Sequence, residues 1–169
     1  MKIGDKFYEL YKFCPQCGQN LTHENNHAVC KTCHRHWYNN PVVSTSIALI
    51  KDKKILLAKR AIEPEKGKWD ILGGFVEAGE SAEDGVIREM REETGLEVKI
   101  DEYLGSTPDL YAGRATLPLM YKVSLTTPKQ QPLAQDDVSE LRWFSLAEIP
   151  TNLAFANVKV TIEKIKNYL

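Results

Sequence analysis

The chain has 169 residues, enough for one substantial core and a small appendage. With 43% hydrophobic and 27% charged residues and a formal net charge of -1, it lies in the ordinary globular range. That balance gives no general attraction to polyanions, so nucleic acid is not an expected partner. No run approaches the roughly 18 apolar residues needed to cross a bilayer; the longest, 42–50, contains Ser44, Thr45 and Ser46, and no membrane role is expected. Residues 1–13 alternate charged, aromatic and aliphatic side chains, without the apolar stretch and small-residue cleavage site of a signal peptide. A cytoplasmic location is therefore expected.

All four cysteines lie ahead of Pro41, so the composition changes there and predicts a boundary, with one unit over 1–40 and another over 41–169. They read Cys14-x2-Cys17, twelve residues, then Cys30-x2-Cys33. In a reducing compartment two such pairs are better explained by one tetrahedral Zn2+ than by disulfides or unrelated thiols. Gly18, directly after Cys17, suits the tight turn of a metal knuckle. His23, His27, His34 and His36 could serve as ligands, but four thiolates already fill a structural site, so the histidines are read as surface residues. Such a closed site supplies folding energy to a segment of about 40 residues that cannot bury much core alone.

From Pro41 onward the pattern is α/β. The aliphatic runs 42–50 and 55–60, separated by Lys51-Asp52-Lys53-Lys54, predict a hairpin. A third extended segment is expected over 69–75, ending after Gly73-Gly74, and further strands over 98–104 and 117–125. Ser81 can cap a helix whose capping box is completed by Asp84 and which Gly95 ends. In this helix Val86, Ile87 and Met90 share one side, while Glu89, Glu92 and Glu93 fall on a neighbouring arc. A second helix, structural in character, is expected over 152–168, where Val158, Ile162 and Ile165 recur at helical spacing. Residues 130–135 read as an exposed loop.

Clustered glutamates on a helix are commonly a solvated face. Here the like charges at i, i+3 and i, i+4 repel one another, and Arg88 and Arg91 offset this only in part. A hard divalent cation offsets it better, because Mg2+ takes oxygen ligands from a few carboxylates together with substrate phosphates.

Residues 74–96 read GFVEAGESAEDGVIREMREETGL, which resembles the Nudix box, G-x5-E-x7-R-E-U-x-E-E-x-G-U with U aliphatic. The fixed positions fall on Gly74, Glu80, Arg88, Glu89, Met90, Glu92, Glu93, Gly95 and Leu96. The likeness extends to Asn40-Pro41 and to the acidic stretch before Arg142-Trp143-Phe144. It implies a Nudix fold, a mixed β-sheet sandwiched between helices, here with a small N-terminal zinc ribbon. It also implies Mg2+- or Mn2+-dependent hydrolysis of a nucleoside diphosphate linked to a moiety X. By the same likeness Glu89, Glu92 and Glu93 would hold the metal with the Gly73 carbonyl nearby, and Glu80 and Arg88 would support them. The base that deprotonates water is either a box glutamate or a loop acid among Asp136, Asp137 and Glu140, with Asp137 favoured.

A zinc ribbon ahead of a Nudix domain resembles the NADH pyrophosphatase arrangement. That subfamily carries a Ser-Gln-Pro-Trp-Pro-Phe-Pro run after the box, whereas residues 105–111 here read Gly-Ser-Thr-Pro-Asp-Leu-Tyr. ADP-ribose and related NDP-sugars are then the leading substrates, with NADH or another dinucleotide as the alternative. Trp69, Phe75 and Tyr111 could stack a base, though such residues are more often core. A reading from another class is a nucleotide-sensing regulator whose ribbon, through Lys31 and Arg35, contacts a partner. A further reading makes the ribbon a homodimer contact.

Overall fold

The computed structural model describes residues 11–169. Residues 1–10, which begin both the expected ribbon and the segment read for a signal peptide, lie outside the described residues. Strands β1 (Leu21–Glu24), β2 (His27–Cys30) and β3 (His36–Tyr38) form a small antiparallel sheet. The larger sheet is built from β4 (Val42–Lys51), β5 (Lys54–Arg60), β6 (Trp69–Asp70), β7 (Val98–Ser106), β8 (Asp109–Tyr111), β9 (Arg114–Leu125) and β10 (Val138–Phe144). Its order is β10-β5-β4-β9-β7, with β6 on β5 and β8 on β9. β4 and β9 run parallel and the other pairs antiparallel, so the sheet is mixed as expected.

Strand alternation explains the two covered faces. Along β4, Ile47 and Leu49 point to one core and Ala48 to the other; along β5, Leu56 and Ala58 part in the same way from Ile55 and Leu57. Helix α1 (Ala82–Thr94) brings Val86 and Met90 to the first core, and α2 (Ala156–Ile165) brings Val158, Ile162 and Ile165 to the second. Both faces of the central strands β4 and β5 are therefore covered, and both helices are anchored by apolar burial.

The 51–54 hairpin turns through Asp52 and Lys53 with φ of 51° and 58°, the left-handed pair of a type I′ turn. Beyond it β4 and β5 separate at once, pairing only at Ile50–Ile55 and Lys51–Lys54. The segment after β6 enters the gap. Leu72 and Gly74 accept the amides of Ile47 and Thr45 at 2.8 Å each, and Val43 accepts that of Val76 at 3.1 Å. The expected 69–75 strand is thus regular only over Trp69–Asp70, with the remainder held on β4 by isolated bridges. This wedge sets Gly73-Gly74 against the sheet edge below α1.

The second helix is shorter than expected. It starts at Ala156 because the residues before it are bonded to β6, with Leu153 bridging Trp69 and the Ala154 amide donating to the Trp69 carbonyl at 2.8 Å. It ends at Ile165 and tightens into a 3-10 turn over Lys166–Tyr168. No helix among the described residues is long and apolar enough to cross a membrane.

Candidate functional site

Helix α1 begins with the expected capping box. The Ser81 hydroxyl accepts the Asp84 amide at 3.1 Å and the Asp84 carboxylate accepts the Ser81 amide at 3.3 Å, while Gly95 closes the other end at φ 68°. The helix presents its glutamates unequally. Glu93 follows Val86 by seven residues and Met90 by three, so it lies on the packed face and is only 6% exposed, whereas the Glu92 side chain is 48% exposed. The shared arc expected for Glu89, Glu92 and Glu93 is therefore a gradient from solvent to core.

Arg88 organises the solvent side. It grips Glu80 through Nε and Nη2 at 3.2 and 2.7 Å, and Nη1 donates to Glu89 and Glu92 at 2.8 and 2.9 Å. Its Nη2 also donates to the Phe75 carbonyl at 3.0 Å, tying the loop to the helix. Glu80 accepts the Glu77 amide at 2.7 Å, and the Arg88 guanidinium with that amide holds its carboxyl below the usual range. On the core side Glu93 accepts the Gly73 amide at 2.9 Å. Gly73 has φ 121°, and a Cβ there would lie 2.5 Å from the Thr45 carbonyl oxygen; one on Gly74 would lie 2.4 Å from a Glu89 oxygen. Close approach to backbone requires glycine at 73, whereas a side chain at 74 would displace the Glu89 carboxylate.

Burial pushes Glu93 well above the carboxylate range against the pull of the Gly73 amide, and Glu89, Asp137 and Asp70 push it further. Burial likewise raises Glu89 against Arg88, with Glu92 and Asp137 adding to the rise. Five carboxylates, Glu89, Glu92, Glu93, Asp70 and Asp137, thus act on one another in one region, a set of oxygen ligands suited to a hard divalent cation.

A cleft of about 130 Å³ opens beside this group, lined by Gly73, Gly74 and Asp137 on one side and by Arg60, Phe75, Asp109, Tyr111 and Phe155 on the other. Phe75 meets Tyr111 edge to face at 5.3 Å, and Tyr111 lies 5.5 Å from Phe155. Arg60 sits over the Tyr111 and Phe155 rings and pairs with Asp70 at 3.2 Å. Burial raises the Asp70 carboxyl to about 6 against the opposing pull of Arg60.

The cysteines form a separate centre whose four sulfurs all lie within 4.8 Å of one another. Cys14–Cys33 and Cys17–Cys30 approach to 3.6 and 3.5 Å, close to the roughly 3.8 Å edge of a tetrahedron with Zn–S bonds of about 2.3 Å. The two knuckles repeat one geometry. The Gly18 amide donates to Cys14 O and the His34 amide to Cys30 O at 2.8 Å each, with φ of 73° and 58°. Burial opposes ionisation of Cys14, but the Cys17 and Gln16 amides outweigh it and bring the thiol down to about 6; the Cys33 amide lowers Cys30. Against the pull of the Gln19 amide, the neighbouring thiols push Cys17 up to about 12, and burial raises Cys33, so the quartet holds its protons unevenly.

The family model described as NUDIX domain matches residues 40–163. The chain belongs to the Nudix family. A NAD-capped RNA hydrolase, NudC, of Vibrio parahaemolyticus is 32% identical over 161 residues, covering 91% of this chain and 60% of that protein. The chain thus spans about 60% of the length of that curated relative. An ADP-ribose pyrophosphatase of Methanocaldococcus jannaschii is 37% identical over 134 residues, covering 78% of this chain and 75% of that protein. A crystal structure of a NUDIX hydrolase from Nitrosomonas europaea superposes with a TM-score of 0.75 at 29% identity, covering 93% of this chain and 89% of that one.

In this Nudix chain the expected residues separate into distinct places. Gly73, Gly74, Glu80, Arg88, Glu89, Glu92 and Glu93 come together, and Asp137 lies beside them on the cleft wall. Phe75 and Tyr111 line the cleft, but Trp69 is 7% exposed and packs edge to face on Phe144 at 4.8 Å, which makes it core. Sequence reasoning missed Arg60, Asp70, Asp109 and Phe155. The available signal was a pair of charges, Arg60 and Asp70, set at the margins of apolar strands where unpaired charge is costly.

Proposed function

We propose that the chain is a Mg2+- or Mn2+-dependent hydrolase of a phosphoanhydride in a nucleoside diphosphate linked to X, acting first on ADP-ribose or a related NDP-sugar. The observation that carries this reading is that Glu93 is held on the Gly73 amide within electrostatic reach of Glu89 and Asp137, beside an aromatic cleft. Glu89, Glu92 and Glu93, with the Gly73 carbonyl, would hold the cation, which supplies charge shielding of the diphosphate and acidifies a bound water. Arg88 and Glu80 keep the glutamates and the 74–80 loop in place.

Asp137 is the base in this reading. It takes a proton from water as the oxygen bonds to phosphorus; the bridging P–O bond breaks and its electron pair leaves with the departing phosphate. Its position on the cleft wall, close enough to raise both Glu89 and Glu93, supports this over Asp136 and Glu140. The cleft wall that Phe75 and Tyr111 form takes part of X or of the nucleobase. The relative named NAD-capped RNA hydrolase supports a dinucleotide such as NADH as the second substrate class to assay.

The cysteine quartet is read as a structural Zn2+ site in a ribbon over residues 1–40, ahead of a catalytic unit over 41–169; the matched family stretch beginning at residue 40 supports that division. Four free thiols fit a reducing, cytoplasmic setting. The test is phosphate release from ADP-ribose, NADH and a dinucleoside polyphosphate with Mg2+, comparing wild type with Glu92→Gln and Glu93→Gln. Turnover of ADP-ribose that both substitutions suppress is expected. Tight nucleotide binding without turnover of any of the three would replace the enzyme by a sensor.

A further inference from the structure

The cleft holds a charge pair that the cleavage chemistry does not use. Arg60, at the end of β5, is the one cation among the described residues that line the cleft. Its Nη1 pairs with Asp70 at 3.2 Å, and both side chains are 12% exposed. Nε donates to the Pro64 carbonyl at 2.7 Å and Nη2 to the Tyr111 hydroxyl at 3.4 Å, while the Tyr111 and Phe155 rings lie 5.7 and 5.1 Å from the guanidinium. Asp70 is fixed in turn by the Ile71 amide at 2.9 Å. So held, Arg60 offers its remaining Nη hydrogens but little net positive potential, because Asp70 cancels its charge within the same wall. Asp109 adds a further carboxylate to the lining, with the Leu110 and Asn157 amides each 2.8 Å from one of its oxygens.

A phosphate on the X side would find no uncompensated cation here and would face Asp109; such like-charge juxtaposition is a strong discriminator. A neutral sugar would find what hydroxyls need: donors on Arg60, acceptors on Asp70 and Asp109, and ring faces for its C–H surface. We propose that the Arg60–Asp70 pair is the selectivity element of the cleft, favouring a neutral hydroxylated X group over one that is itself a phosphate. This rests on the reading of the adjoining carboxylates as the place of diphosphate cleavage.

ADP-ribose and ATP test it, since both are ADP joined to X, ribose in one and phosphate in the other. The wild type should prefer ADP-ribose. Asp70→Asn keeps an acceptor for the Ile71 amide and unmasks Arg60, so the ratio of kcat/KM for ADP-ribose over ATP should fall by about tenfold or more, chiefly through KM for ATP. Asp109→Asn should shift the ratio in the same direction by less, and it carries the test should Asp70→Asn fail to fold. Each ratio comes from one protein sample, so a loss of folded fraction cancels. Dissociation constants of the same two ligands, measured by calorimetry in Mg2+-free buffer, give the ratio without turnover. Absence of hydrolysis by the wild type would defeat the hydrolase reading; a wild type that prefers ATP, or a ratio that neither folded variant changes, would overturn this inference.

Discussion

The two ligand clusters of this chain are built on opposite plans. The cysteine sulfurs already sit at tetrahedral spacing, on two repeated knuckles whose backbone bonds fix them. The glutamates are spread from an exposed Glu92 to a buried Glu93, and they are held by Arg88 on one side and the Gly73 amide on the other. The first plan suits an ion that completes a fold and stays; the second leaves carboxylate charge in tension beside a cleft, which suits an ion that works on a ligand's phosphates. Convergence of ligand atoms is therefore a mark of a structural centre, and maintained repulsion a mark of a working one.

The largest effect expected from breaking this contrast is at Glu93. On the proposed reading, Glu93→Gln should lower kcat by about 10²-fold or more, since it would remove a carboxylate that holds the cation and several kcal/mol of transition-state stabilisation. The same substitution should raise the thermal midpoint in Mg2+-free buffer, because it removes a buried carboxyl that is costly to ionise. Opposite signs in activity and stability are the test; a loss of both would make Glu93 an ordinary structural residue.

At the cysteine centre zinc content and local stability should fall together. Cys30→Ser should abolish zinc in the purified protein by elemental analysis and make residues 11–40 sensitive to limited proteolysis. Full zinc content in that variant would remove the four-thiolate assignment.

A smaller effect is expected from pH. Asp70 is raised by burial to about 6 and Glu93 is raised in the same direction, so both bind protons more tightly in the folded than in the unfolded chain. Their contribution to stability is full below the ordinary carboxyl range and is lost as pH rises through about 6 for Asp70. The thermal midpoint in Mg2+-free buffer should fall across that window, and added Mg2+ should recover part of the loss at higher pH. A midpoint that rises through the same window would contradict the tension described above.

The smallest effect is at His34, which occupies in the second knuckle the left-handed position that Gly18 fills in the first. His34→Gly should stabilise the ribbon by up to about 1 kcal/mol, read as slower proteolysis, because the unfavourable backbone conformation is relieved. A destabilised ribbon would show that the imidazole contributes more than its backbone costs.

Much of this was legible in the linear chain because the signals are local. A capping box, a Gly at the helix end and two Cys-x2-Cys pairs each act within a few residues, so the sequence by itself determined α1, the order of its glutamates, the thiolate quartet and the family they point to. Periodicity also revealed the aliphatic strands β4 and β5. It did not reveal that they part after a single turn, because the wedge of 72–76 between them is decided by pairing across the chain. For the same reason the second helix begins later than its apolar spacing implies: Leu153 and Ala154 are taken by Trp69. Packing sets the rest: Glu93 is buried while Glu92 is not, Trp69 is core, and Arg60, Asp70, Asp109 and Phe155 meet around one cleft. Those outcomes depend on which surfaces are dehydrated together and which charges then find partners. Both are properties of packing between distant segments, which no window of sequence contains.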